Sequence, residues 1–322
     1  MPARSFDISH KTIFFVASFL ALLWALYLIK DVIILLFIAI IFMSALSPII
    51  DKLESWKIPK ALAIAFTYVV VFSLLGFLVS IVITPLIEQT SNLVTNLPQT
   101  LNKLFPDGSP IDKSVIQREL GNISGNALGF SLAVFSNFLA FISVAVLTFY
   151  LLLQRERLDQ LISQFFVGQE ERVKKISRRI EDKLGAWLRG QLVLSFIIGS
   201  VVYIVLFFLN VPYAIPLAIL AGIMEVIPVI GPIISAIPAV MIAYVSSPIL
   251  ALIVAGAFFV IQQLENHIIV PQVMKKAVGL NPLIVILAVS IGGKLLGVAG
   301  ALLAVPVAVV VQIITEGVLK EE

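Results

Sequence analysis

The sequence predicts an all-α, polytopic membrane protein of about eight membrane segments, and three observations carry that prediction. Of 322 residues, 60% are apolar and 13% charged, against roughly 45–50% and about 25% in an ordinary soluble domain. Windows free of Asp, Glu, Lys and Arg run over 12–29, 32–50, 61–87, 120–154, 190–224, 226–264, 277–293 and 295–315, and about 20 apolar residues suffice for one crossing. These windows are continuously apolar instead of alternating, which excludes a transmembrane β-barrel.

The elements follow in chain order. Thr12 to Leu28 comes after Lys11, and a second apolar run, Val32 to Ile50, follows Lys30 and Asp31 with no small-residue cleavage site between them. The pair therefore reads as two membrane helices and not as a signal peptide. The loop Asp51 to Lys60 carries Lys52, Lys57 and Lys60, which places it in the cytoplasm. The third span runs from Ala61 to about Thr84 and is expected to close at Pro85. Residues 88–119 balance Lys103, Lys113 and Arg118 against Glu88, Asp107, Asp112 and Glu119. That balance fits an extracytoplasmic segment, and Leu93, Leu97, Leu101 and Leu104 stand at helical spacing within it. The fourth span is Phe130 to Leu153, preceded by the four-residue stripe Gly121, Gly125, Gly129 and Ala133.

Arg155 to Arg189 holds nine basic and six acidic residues, the pattern of a cytoplasmic segment. Within it Val173, Ile176, Ile180, Leu184 and Trp187 line one helical face, opposite Arg172, Lys175, Arg178 and Arg179. Such a helix suits an anionic membrane surface or a neighbouring subunit; nucleic acid is not an expected partner. Counting crossings from a cytoplasmic N-terminus puts every basic loop inside and both termini in the cytoplasm. The chain thus divides into three N-terminal membrane helices (1–87), an extracytoplasmic helical segment (88–129), a fourth membrane helix (130–154), a cytoplasmic amphipathic region (155–189) and a C-terminal core (190–322).

The core contains two similar units, 210–246 and 281–316. The first reads Asn210-Val211-Pro212, an apolar run, a lone Glu225, the break Pro228-Val229-Ile230-Gly231-Pro232, then Ile237-Pro238-Ala239-Val240. The second reads Leu280-Asn281-Pro282, an apolar run, a lone Lys294, a break with Gly297 and Gly300, then Val305-Pro306-Val307-Ala308. Pro removes an amide donor and Gly tolerates unusual backbone angles, so each unit can turn at its break. Backbone outside a helix survives at membrane depth only where protein or a water-filled cavity covers it. One span between the units would make them approach from opposite faces, as in transporters built from inverted repeats.

Charges inside apolar runs are expensive, at about 2.5–3.5 kcal/mol each at a helix centre on insertion scales, so Glu225 and Lys294 are the first functional candidates. A snorkelling charge or a structural ion pair is the competing reading. A polar cluster, Gln262, Gln263, Glu265, Asn266 and His267, follows the intervening span and is closed by Pro271. Its amide and carboxylate groups could bind a hydroxylated solute or a cation, or could simply end the helix. No H-E-x-x-H, G-x-S-x-G, Walker or G-x-G-x-x-G motif occurs, so no enzyme is predicted. The chain has no cysteine and two histidines, so no cofactor or metal centre is expected.

Ile227-Pro228-Val229-Ile230-Gly231-Pro232, the Gln262-Gln263-Leu264-Glu265-Asn266 segment leading to Pro271, Gly279-Leu280-Asn281-Pro282, and Gly297-Val298-Ala299-Gly300 through Val305-Pro306 together resemble the autoinducer-2 exporter family of permeases. Ser47-Pro48 and Arg189-Gly190-Gln191 extend the likeness over nearly the whole chain. The chain departs from it at Asn281, where His is expected in many relatives. The resemblance implies an inner-membrane transporter of a bacterium or archaeon with about eight spans, exporting autoinducer-2 or exchanging sodium or lithium for protons, and a homo-oligomer, pentameric in some members. On that basis Glu225, Pro228, Gly231, Pro232, Gln262, Gln263, Glu265, Asn266, Pro271, Asn281, Pro282, Lys294, Gly297 and Gly300 are the candidate substrate, ion or gating residues. The competing hypothesis from another class is a non-transporting scaffold that recruits partners through helix 172–188.

Overall fold

The structure, a computed structural model, describes residues 10–104, 127–227 and 230–319. Pro228, the middle of the expected extracytoplasmic segment with Gly121 and Gly125, and the tail Lys320 to Glu322 lie outside the described residues. Among those described, the chain is helical throughout: α1 (His10–Leu28), α2 (Lys30–Ser55), α3 (Lys60–Leu104), α4 (Ala127–Leu153), α5 (Arg155–Gln164), α6 (Glu170–Phe208), α7 (Ala214–Met224), α8 (Ile230–Ser246), α9 (Pro248–Leu264), a π-helical turn (Glu265–Ile269), α10 (Val270–Ala277) and α11 (Pro282–Leu319). Among the described residues, six segments are long and apolar enough to cross a membrane: Lys11–Leu28, Lys30–Ser55, Lys60–Val82, Glu170–Phe208, Pro248–Met274 and Leu283–Gly317. Leu139–Leu153, α7 and α8 are apolar but shorter.

Several helices extend beyond the boundaries expected from composition. α3 continues through Pro85 to Leu104, since a proline within a membrane helix costs one backbone hydrogen bond and neighbours can compensate. α6 is one helix from Glu170 to Phe208, so the amphipathic stretch and the fifth span form a single rod of roughly 58 Å at 1.5 Å per residue. Its apolar stripe is already covered. Ile176, Ile180, Leu184 and Trp187 pack with Ile41 of α2 and with Leu303, Val305, Val309 and Ile313 of α11. The segment expected to end near Gln262 passes through the π turn and onward to Met274.

Three apolar clusters hold the helices together. α6 supplies Leu194, Ile198, Val202 and Leu206 to the largest, facing Leu217, Ala218 and Ala221 of α7, Ala239, Ile242 and Ala243 of α8, and Val254, Phe258 and Ile261 of α9. A second joins α6 to α2 and α11, and a third joins Met43 and Ile50 of α2 to Ala63 and Ile64 of α3 and to Leu152 of α4. The helix α6 therefore touches both halves of the molecule and fixes one against the other. Charged side chains fasten the ends. Arg155 bridges Asp51 at 3.3 Å and Glu181 at 2.9 Å, while Arg179 pairs with Glu316 at 2.7 Å and Arg172 donates to the Gly317 carbonyl. Burial alone would lower the Arg155 pKa, but the two carboxylates more than offset this and raise it.

Candidate functional site

Between α7 and α8 the chain turns at residues 225–227. Glu225 ends α7, and the amide of Gly231 donates to the Ile227 carbonyl at 2.9 Å. A Cβ on Gly231 would stand 2.5 Å from the Met224 carbonyl carbon, so only glycine lets the start of α8 lie against the end of α7. Pro232 sits half-buried in the first turn of α8, where its missing N–H leaves no acceptor unsatisfied, and Ser235 Oγ donates to its carbonyl at 3.0 Å. Glycines likewise let α7 cross α6 closely. Cβ atoms on Gly222 and Gly199 would meet the Ser195 carbonyl oxygen at 2.8 Å and the Ala218 carbonyl oxygen at 3.1 Å.

The same crossing delivers Gln191 to the turn, where its Nε2 donates to the Glu225 main-chain oxygen at 2.8 Å. Gln191 is 3% exposed and lies on the stripe Leu184, Trp187, Gln191, Leu194, Ile198, Val202, every member of which is buried. That is the signal by which sequence reading could have found it: a lone amide at a core position of an apolar helical stripe. It was not among the expected site residues, and neither was Ser195, one turn further along α6, whose Oγ is buried without a hydrogen-bond partner.

The Glu225 carboxyl meets that of Glu265. The two side chains are 2% and 3% exposed and lie within hydrogen-bonding reach of each other, yet Oε2 of each lacks a partner. Ionised carboxylates only accept hydrogen bonds, so a bond between them requires a proton on one. Glu265 reaches inward because it continues the buried stripe of α9, Val254, Phe258 and Ile261, at helical spacing, and the π turn begins with it. Within the π turn that follows, Asn266 and His267 are exposed. Gln262 Nε2 donates to Glu265 Oε1 at 3.1 Å and lies 3.5 Å from Asn266 Oδ1.

The structure therefore brings together Glu225, Gln262, Glu265 and Asn266, with Gly231 and Pro232 shaping the turn beside them. Gln263 is exposed, its carbonyl 2.9 Å from His267 Nδ1, and Pro271 is exposed in the first turn of α10. In the second break, Leu296 and Gly297 leave helical geometry, Gly297 at φ 61°, and the chain folds back until Gly292 and Gly300 touch backbone to backbone. Asn281 caps α11 by accepting the Leu283 amide at 2.9 Å, directly before Pro282. Lys294 is exposed, and the buried partner of Glu225 is a second acid, not this lysine.

Comparison with known proteins finds relatives along nearly the whole chain. The chain is 30% identical to YrrI of Bacillus subtilis strain 168 over 320 residues, covering 93% of this chain and 90% of the relative. It is 28% identical to YueF of the same organism, covering 83% and 78%, and 28% identical to the AI-2 transport protein TqsA of Escherichia coli strain K12, covering 91% and 87%. The model of the AI-2E family transporters matches residues 13–320. This polytopic, all-α membrane protein belongs to the AI-2E transporter family.

Proposed function

We propose that the protein is a secondary transporter that moves a small polar solute across the inner membrane of a prokaryote, with its translocation site at the two breaks in the C-terminal core. The observation that carries this reading is the carboxyl pair Glu225 and Glu265. Two acids buried side by side, each with an unpartnered oxygen, are costly in an apolar protein and suit the reversible binding of a proton or small cation. Gln262 and Asn266 beside them offer amide groups to a hydroxylated solute. Similarity to TqsA supports autoinducer-2 as the solute.

The helices α7 and α8 have 11 and 17 residues, roughly 16 and 26 Å at 1.5 Å per residue, which supports a re-entrant hairpin that does not fully cross. The folded-back α11 supports a second hairpin, and a single span between the two supports an inverted pair. The short loops rich in Lys and Arg support cytoplasmic N- and C-termini. α1, exposed along its length apart from contact with α2, supports assembly into a homo-oligomer.

A second reading, exchange of sodium or lithium for protons, is favoured by the same carboxyl pair. Reconstituted protein tests both. Efflux of autoinducer-2 and alkalinisation on addition of NaCl or LiCl are measured in proteoliposomes for wild type, Glu225→Gln and Glu265→Gln. Loss of cation exchange with retained solute flux would place the ion at the pair, and wild-type protein that moved neither would overturn both readings.

A further inference from the structure

We propose that Arg189 is a positioning residue for the carboxyl pair: it clasps the carbonyl that Pro48 leaves free in α2, and thereby fixes α6 so that Gln191 holds the Glu225 turn. In an α-helix the amide of residue 48 would bond the carbonyl of residue 44. Proline has no amide, so the Ser44 carbonyl loses its partner within the helix. Arg189 Nη1 lies 3.3 Å from the Ser44 oxygen and 3.3 Å from the Ala45 oxygen, supplying a charged donor to a backbone acceptor that would otherwise go unmet.

The approach is prepared one turn earlier on α6. A Cβ on Gly185 would stand 2.8 Å from the Ser44 carbonyl carbon, so the bare glycine lets α6 rest on the proline window itself. Arg189 and Gln191 are two residues apart, about 200° around a helix of 3.6 residues per turn. They therefore point to nearly opposite sides, one to α2 and the other to the Glu225 carbonyl. Gly190 between them packs on α10, where a Cβ would meet that of Ala277 at 3.1 Å. Three consecutive residues thus seat α6 against α2, α10 and the α7–α8 turn at one level, and a rotation of α6 that loosens the first contact loosens the last.

The inference rests on the transport reading for its functional consequence, but its structural core is testable without it. The experiment is a double-mutant cycle of Arg189→Met and Pro48→Ala in the full chain. It is read by autoinducer-2 efflux and NaCl-driven proton flux in proteoliposomes, and by thermal unfolding in detergent. Alanine at 48 returns an amide to the Ser44 carbonyl, so the need for Arg189 should fall. Loss of a charge-assisted bond predicts that Arg189→Met lowers flux about tenfold or more in the wild-type background and by less than about threefold in the Pro48→Ala background. Multiplicative losses in the double variant would overturn the proposal. If wild type shows no flux, the transport reading fails and the cycle is decided on the unfolding temperature, where additive shifts overturn the proposal and rescue supports it. Should Arg189→Met not fold, Arg189→Lys, which keeps the charge and a single rotatable ammonium, should fold with reduced flux that Pro48→Ala restores; absence of that restoration counts against the proposal.

Discussion

Replacing Gly231 by alanine adds one carbon at the point where α8 begins against the end of α7. Its Cβ would lie 2.5 Å from the Met224 carbonyl carbon and 3.3 Å from the Glu225 nitrogen, while ordinary contact begins at 3.4 Å. The Met224 carbonyl oxygen stands nearer still, so relief demands a displacement of more than about 0.9 Å, and the atoms in the way are backbone, so no rotamer change can supply it. Overpacking of this kind costs about 1–3 kcal/mol, and a rigid obstacle places the expected value in the upper part of that range. The displaced peptide is the one entering Glu225, so the carboxyl pair moves with the turn and flux should fall together with stability. Gly256 provides the control, because nothing lies within 4 Å of a Cβ built there. Alanine at that position should be neutral or stabilising by up to about 1 kcal/mol through helix propensity. Thermal unfolding followed by tryptophan fluorescence in detergent, with flux in proteoliposomes, reads both variants. Gly231→Ala protein that unfolds with wild type and transports at the wild-type rate would refute the packing argument.

Gln191→Leu removes the amide that bonds the buried Glu225 carbonyl and should cost about 1–3 kcal/mol, seen as a lowered unfolding temperature and faster amide exchange in the α7–α8 turn. Leu184 is fully buried, and its replacement by alanine should cost about 2–5 kcal/mol; Phe196, 77% exposed on the same helix, should tolerate alanine with little change. Gly297→Ala meets open space but sits at φ 61° and ψ −138°, a region close to glycine-only backbone where an L residue costs about 1–3 kcal/mol, so the loss should come from a shifted kink, detectable as a changed distance between spin labels placed on either arm of α11. Arg155→Gln breaks partly exposed ion pairs and should cost under about 1 kcal/mol, with the difference shrinking in high salt.

Much of the fold was legible in the chain because a membrane protein writes its solvent into composition. The runs near 12–28, 32–50 and 61–84 mark helices, and the breaks at 225–232 and 296–300 fall where Gly and Pro interrupt apolar sequence. Less legible was where a helix would stop. Pro85 and Pro271 are punctuation in a single sequence, yet both stand within α-helix, the second directly after the π turn, because packing and compensation by neighbours decide whether a lost hydrogen bond ends an element. Glu225 stood out as a lone charge in apolar surroundings, and so did Lys294. Only the first is buried.

What the sequence by itself determined is the all-α membrane class, the positions of the breaks and the identity of Glu225 and Glu265 as acids worth attention. These depend on local quantities: hydrophobicity over a span, the missing amide of proline, the missing side chain of glycine. Tertiary structure alone decided that Glu225 faces Glu265 instead of Lys294, that Gln191 supports the turn between α7 and α8, and that Arg189 answers the carbonyl freed by Pro48. Each of these joins residues from 34 to 145 positions apart. Such pairings are set by how close bare glycines allow helices to approach, a distance that no local pattern encodes.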